Sequence, residues 1–203
     1  MNTTTDRGSS NGTVYAVIGL LILVMLLAAG GYMFLSGTRP AALTVGGPFS
    51  LIDGDGKPVT QETWRGKYLL VYFGYTFCPD VCPTTLTNVA DALDKLGPGA
   101  GRIQPLFVTI DPKRDTAGVV KQYAAAFGPR LIGLTGSPEQ IAAVAKVYRV
   151  YYAEHRTGAG PGDYSMDHSS VLYLMGPDGR FIAPIRADQD GPEIAAALTK
   201  LMP

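Results

Sequence analysis

Cys78 and Cys82 are the only cysteines in 203 residues, and they stand in Phe77-Cys78-Pro79-Asp80-Val81-Cys82-Pro83. Thiolate is both a strong nucleophile and a soft metal ligand. Two thiols spaced C-x-x-x-C can close a reactive disulfide or grip one soft metal ion. They make a poor structural staple, because so short a loop constrains little of the unfolded chain. A metal site needs at least one more ligand, and the chain holds two histidines, His155 and His168. His155 follows Glu154 at the edge of a Gly-rich stretch and reads as a solvated surface residue. His168 lies in Asp163-Tyr164-Ser165-Met166-Asp167-His168-Ser169-Ser170. Taken alone it serves equally well as a hydrogen-bonded loop histidine. A structural zinc site wants four ligands. Two thiolates with one imidazole supply three, a soft set that suits copper. Left three-coordinate, such a site is open to an incoming ligand, which favours transfer over storage.

These residues need a scaffold. Tyr68 to Tyr75 is almost continuously apolar, as in a strand buried on both faces. It delivers its carboxyl end straight into Cys78, where ligands bind in open α/β sheets. Leu86, Val89, Ala90, Leu93 and Leu96 recur at helical spacing over residues 84–96, and Gly97-Pro98-Gly99 stops the helix. Pro83 suits its first position, which puts Cys82 at the positive end of the helix dipole. Asp80 between the thiols adds an opposing negative charge. Ile103 to Ile110 reads as a second buried strand, and Asp115 as the cap of a helix reaching Phe127. Leu131 to Leu134 is a short strand. Ser137-Pro138-Glu139 opens a helix with Ile141, Val144, Ala145 and Tyr148 on one face. Val150 to Ala153 is extended and leads into a Gly-rich loop over residues 157–163. Residues 170–175 and 180–185 form a hairpin across Gly176-Pro177-Asp178-Gly179. A last helix runs from Pro192 to Leu201. The order β–α–β–α–β–α, β-hairpin, α predicts an α/β fold with a mixed central sheet flanked by helices.

The chain carries 17 basic and 17 acidic residues. Zero net charge argues against a nucleic-acid binder. Residues 1–13 are small and polar and read as a disordered tail. Val14 to Leu35 then runs without a charge, long enough to cross a hydrocarbon core of about 30 Å. A cleaved signal peptide is the rival reading, with Ala28-Ala29-Gly30 as a cleavage site, but its apolar region is usually only about 7–15 residues long. Arg7 and Arg39 flank the run on opposite sides, so charge barely orients it. Residues 36–47 form a linker, and 48–203 a single domain.

Several motifs in residues 45–203 resemble those of the Sco/SenC proteins, copper-handling thioredoxin-fold proteins of cytochrome oxidase assembly. They are Gly74-Tyr75-Thr76-Phe77-Cys78-Pro79-Asp80-Val81-Cys82-Pro83, then Val108-Thr109-Ile110-Asp111-Pro112-Lys113-Arg114-Asp115-Thr116, then Tyr148-Arg149-Val150-Tyr151-Tyr152. Asp167-His168-Ser169-Ser170-Val171-Leu172-Tyr173-Leu174 with the following Gly176-Pro177-Asp178-Gly179 completes the set. The resemblance implies a thioredoxin-like fold behind one N-terminal transmembrane helix. It implies that Cys78, Cys82 and His168 bind one copper ion, Cu(I) or Cu(II). It further implies a bacterial inner-membrane anchor with the domain in the periplasm. The partners would be the copper-centre subunit of cytochrome c oxidase, a periplasmic copper donor and, because a Cys78–Cys82 disulfide blocks loading, a thioredoxin-like reductant.

The alternative is a thiol–disulfide oxidoreductase that reduces the oxidase subunit's cysteines, or a redox sensor, with Cys78 and Cys82 as the redox-active pair. C-x-x-x-C departs from the C-x-x-C of dithiol oxidoreductases, and a peroxidase is a weaker third option. Asp111, at the end of the neighbouring strand, is expected near the site, either as a turn before Pro112 or as a supporting hydrogen-bond partner. Met166 reads as a gap-filler rather than a thioether ligand.

Overall fold

The computed structural model describes residues 10–37 and 45–202. They divide into two units, Met1–Leu43 and Thr44–Pro203. The first holds one helix, α1 (Ser10–Gly37). Its Val14–Met33 stretch has a mean hydropathy of 2.5 and is exposed throughout, and it is long and apolar enough to cross a membrane. The helix starts at Ser10, so the last four residues assigned to the polar tail are helical. The rest of that expected tail, 1–9, and most of the expected linker, 38–44, lie outside the described residues.

The second unit runs β1 (Ser50–Asp53), β2 (Pro58–Thr60), β3 (Tyr68–Gly74), α2 (Val81–Lys95), β4 (Ile103–Thr109), α3 (Ala117–Ala125), β5 (Ile132–Thr135) and α4 (Pro138–Tyr148). It continues through β6 (Tyr152–Arg156), β7 (Tyr164–His168), β8 (Val171–Met175), β9 (Phe181–Arg186) and α5 (Gly191–Leu201). Seven strands form one sheet in the order β2-β1-β5-β4-β3-β8-β9, and β6 and β7 form a separate ribbon. β3, β4 and β5 are parallel, and the remaining pairs are antiparallel. This is the expected mixed sheet with flanking helices.

All seven residues of β3 are buried, as its unbroken apolar sequence requires of a central strand. Its side chains alternate between faces. Phe73 packs with Tyr148 and Tyr173, ring centroids 5.3 and 5.8 Å away. Tyr72 points the other way, its hydroxyl 3.8 Å from Cys82 Sγ. Gly74 also faces Cys82: a Cβ there would come within 2.8 Å of its sulfur and 3.1 Å of Phe107. The strand can therefore pass under the thiol only because this residue lacks a side chain.

Three local expectations change. Val81 rather than Pro83 is the first residue of α2, and Asp80 is its N-cap. Pro83 still lies within the first turn, where a missing N–H breaks no helical bond. Asp115 does not cap α3, since Thr116 holds that position. Asp115 is instead fully buried and accepts hydrogen bonds from the Thr76 amide (2.9 Å), the Thr76 hydroxyl (2.5 Å) and the Thr109 hydroxyl (2.6 Å). Its carboxylate fastens the segment entering Cys78 to the end of β4. The extended segment at Val150 also continues further than expected, as one arm of the β6–β7 ribbon, and His168 ends the other arm, paired with Tyr152.

Candidate metal centre

Cys78, Cys82 and His168 converge. The two Sγ atoms and a ring nitrogen of His168 all lie within 4.8 Å of one another, and Cys82 Sγ is 3.4 Å from His168 Nε2. Bonds of about 2.0–2.3 Å, the range for zinc to nitrogen and sulfur, separate the ligands of one ion by roughly 3.3–4 Å. The donors therefore fit a single ion after small movements. Cys78 Sγ accepts the Cys82 amide at 3.4 Å, a contact made available because Cys82 is in the first turn of α2, where amides have no helical partner. His168 Nδ1 is 3.2 Å from the Ser169 carbonyl. With Nδ1 donating there, the Nε2 lone pair faces the thiols, the usual arrangement of a ligand histidine. Ser169 is tied in turn to Tyr151, amide to carbonyl at 3.0 Å and Tyr151 amide to Ser169 hydroxyl at 3.1 Å. Tyr72 and Tyr75 meet the His168 ring edge-on at 6.0 and 6.1 Å.

The thiols are unequal. Both are free, Cys82 buried and Cys78 partly exposed. The Cys82 side-chain hydrogen bond pulls the Cys78 pKa well below the ordinary thiol value; burial opposes this, and His168 and the Cys82 and Asp80 amides assist. Cys82 is pushed up by that same hydrogen bond and by burial. The shared hydrogen bond thus favours the thiolate on Cys78 over Cys82.

The site opens into a cleft of about 470 Å³ lined by Tyr75, Cys78, Val81, Tyr151, Met166 and His168, among others. Among the described residues of the second unit, four large apolar side chains stand exposed: Phe77, Val81, Tyr151 and Ile182. Val81 and Tyr151 line the cleft, whereas the Phe77 ring packs against Arg114 beside it. Met166 is buried in β7, in keeping with a packing role.

The other candidates lie further out. His155 is exposed on β6 and pairs with Asp167 at 2.8 Å, as a surface histidine. Asp111 is buried and makes no hydrogen bond to the three ligand side chains. Its carboxylate accepts from Arg114 Nε at 2.5 Å and from the Tyr164 hydroxyl at 2.9 Å. Gly74, Tyr72, Tyr75 and Arg114 support the site without having been singled out by sequence. The Asp-Pro-Lys-Arg-Asp run, charged yet placed at the end of a buried strand, was the available signal for Arg114.

A sheet of this kind, with a dithiol where a central strand passes into a helix and an imidazole brought up from a separate ribbon, defines a thioredoxin-like protein built for thiol or soft-metal chemistry. The SCO1/SenC family model matches residues 37–203, and the chain belongs to that family. It is 48% identical over 147 residues to the mitochondrial protein SCO1 homolog 1 of Arabidopsis thaliana, covering 72% of this chain and 43% of that one. The chain thus spans less than half the length of that curated relative. The crystal structure of Arabidopsis thaliana ScoI with copper bound superposes with a TM-score of 0.72 at 44% identity, covering 78% of this chain and 98% of the other. BsSco, described as a Sco-family cytochrome c oxidase assembly protein with a disulfide switch, superposes with a TM-score of 0.60 at 26% identity, covering 78% and 93%.

Proposed function

We propose that Cys78, Cys82 and His168 bind one copper ion, and that this chain is a membrane-anchored metallochaperone for the dinuclear copper centre of cytochrome c oxidase. The convergence of the three ligand atoms within 4.8 Å carries the reading. Copper in Arabidopsis ScoI and the assembly role described for BsSco support it. Three soft or borderline donors without a fourth leave copper open to an incoming ligand. The exposed Val81 and Tyr151 at the mouth of the cleft offer a docking face for the protein that supplies that ligand. α1 would hold the domain at a bacterial inner membrane, on the periplasmic side, where copper donor, reductant and oxidase subunit meet it.

The unequal thiols favour a second reading, thiol–disulfide exchange. The exposed Cys78 thiolate would attack a partner's disulfide and form a mixed disulfide. Cys82, losing its proton, would then displace the partner as a dithiol, leaving a Cys78–Cys82 disulfide for a thioredoxin-like reductant to reopen. The two readings separate at His168. Copper-loaded wild type is expected to metallate the isolated copper-centre domain of the oxidase, followed by its visible spectrum, whereas His168→Ala fails. A wild type that leaves the domain unmetallated, while His168→Ala still reduces the oxidised domain's cysteines and Cys78→Ser does not, overturns the metallochaperone reading in favour of exchange.

A further inference from the structure

Arg114 follows β4 in the turn that also holds Asp111 and Asp115, and its side chain is only 15% exposed. Its guanidinium carbon lies 3.6 Å from the Tyr164 ring centroid, 4.6 Å from that of Phe77 and 5.8 Å from that of Tyr75. Nη1 donates to the carbonyls of Tyr164 at 3.0 Å and Gly162 at 3.3 Å. Nε donates to Asp111, whose other oxygen accepts the Tyr164 hydroxyl. Nη2 is buried without a hydrogen-bond partner, so stacking and the other two nitrogens fix the group. Tyr164 opens the strand that His168 ends, while Phe77 and Tyr75 flank the segment that leads into Cys78. That strand shares no ladder with the seven-stranded sheet. Side-chain contacts must therefore hold it against the thiols.

We infer that Arg114 is a positioning residue, clamping the His168 strand to the Cys78 segment and so setting the reach of the imidazole to the two thiolates. This rests on the reading of Cys78, Cys82 and His168 as one copper site. The clamp needs a planar, multi-donor cation. Lysine would keep the charge but lose both the fork to the two carbonyls and the flat face against the rings.

The test is a double-mutant cycle on copper affinity in the reduced full chain, measured by competition with a chelator. Arg114→Ala and Arg114→Lys are combined with wild-type His168 and with His168→Ala, and thermal melts report folding. Loss of a group supporting a ligand typically costs about 10–100-fold in metal affinity. Both Arg114 variants are expected to lose about that much with His168 present, and no more than about twofold in the His168→Ala background, within ordinary additivity error. The nitrogen coupling in the Cu(II) resonance spectrum weakens in parallel. Should Arg114→Ala fail to fold, Arg114→Lys carries the cycle. Equal losses in both backgrounds, or no loss with His168 present, overturn the clamp and leave the copper site standing. Unchanged affinity in His168→Ala alone overturns the site, and the clamp with it.

Discussion

Cys78 and Cys82 stand where the central strand of the seven-stranded sheet passes into α2, whereas His168 ends a two-stranded ribbon outside that sheet. The thiols inherit their positions from buried backbone. β3 is hydrogen-bonded on both sides, Gly74 sits directly beneath Cys82, and the buried Asp115 pins Thr76. The imidazole inherits its position from contacts that lie outside any ladder shared with that sheet: the Arg114 stack, the Ser169–Tyr151 hydrogen bonds and the buried tyrosine rings. Only Ser169 and Ser170 join its strand to β8. One half of the site is thus set by the central sheet, and the other by a ribbon that shares no ladder with it. Such a division would suit the proposed transfer of copper.

Variants in the two halves should act differently. The largest effect on folding is expected at Asp115. Asp115→Ala leaves the Thr76 amide and two hydroxyls without their acceptor and should cost about 3 kcal/mol, since one unsatisfied buried group costs about 1–3 kcal/mol. Urea denaturation of the reduced domain measures it. Asp115 has a folded pKa raised, chiefly by burial, above its ordinary 3.8. The proton-linked part of its contribution is therefore fully present below 3.8 and is lost as pH rises through the folded value. Asp115→Asn should flatten the stability profile over that window.

Gly74→Ala comes next. The added methyl presses on Cys82 Sγ and Phe107, and overpacking of this kind costs about 1–3 kcal/mol. The same denaturation curve should show that loss, and copper affinity should fall because the sulfur is displaced. On the ribbon side, Lys113→Ala removes an exposed pair with Glu154 (3.1 Å). It should change stability by less than about 1 kcal/mol. A ribbon variant that costs as much stability as Gly74→Ala would erase the distinction drawn between the halves.

Proton release sharpens the account of the thiols. Copper displaces the protons its ligands carry. With the Cys78 pKa lowered by the hydrogen bond it shares with Cys82, loading at neutral pH should release fewer than two protons per ion. Two ordinary thiols would release nearly two. A titration in weak buffer counts them.

The thiol half was largely legible in the sequence because it is local. An apolar run, two cysteines and a helix-spaced pattern lie within 30 residues, and each constrains its neighbours. Ser137 as a cap with Pro138 behind it was equally plain, and the structure shows the full capping box with Gln140. The His half was not. Residues 152–168 alternate weakly and are broken by glycines, and their contacts with Arg114 and Asp111 reach 50 and 53 positions back along the chain. Asp115 was misread for the same reason. An aspartate just before a helix looks like a cap, and only the fold reveals that Thr76 and Thr109 claim its oxygens. His168 entered the site through resemblance of the Asp167-His168 motif, not through periodicity.

If both halves hold one ion jointly, the coordination shell of the bound metal shows it most directly. X-ray absorption at the copper edge, on the reduced chain loaded with one equivalent of Cu(I), should show two sulfur scatterers and one imidazole nitrogen. His168→Ala should lose the nitrogen and keep both sulfurs. A wild-type shell of sulfur alone, or a nitrogen that survives His168→Ala, would contradict the account.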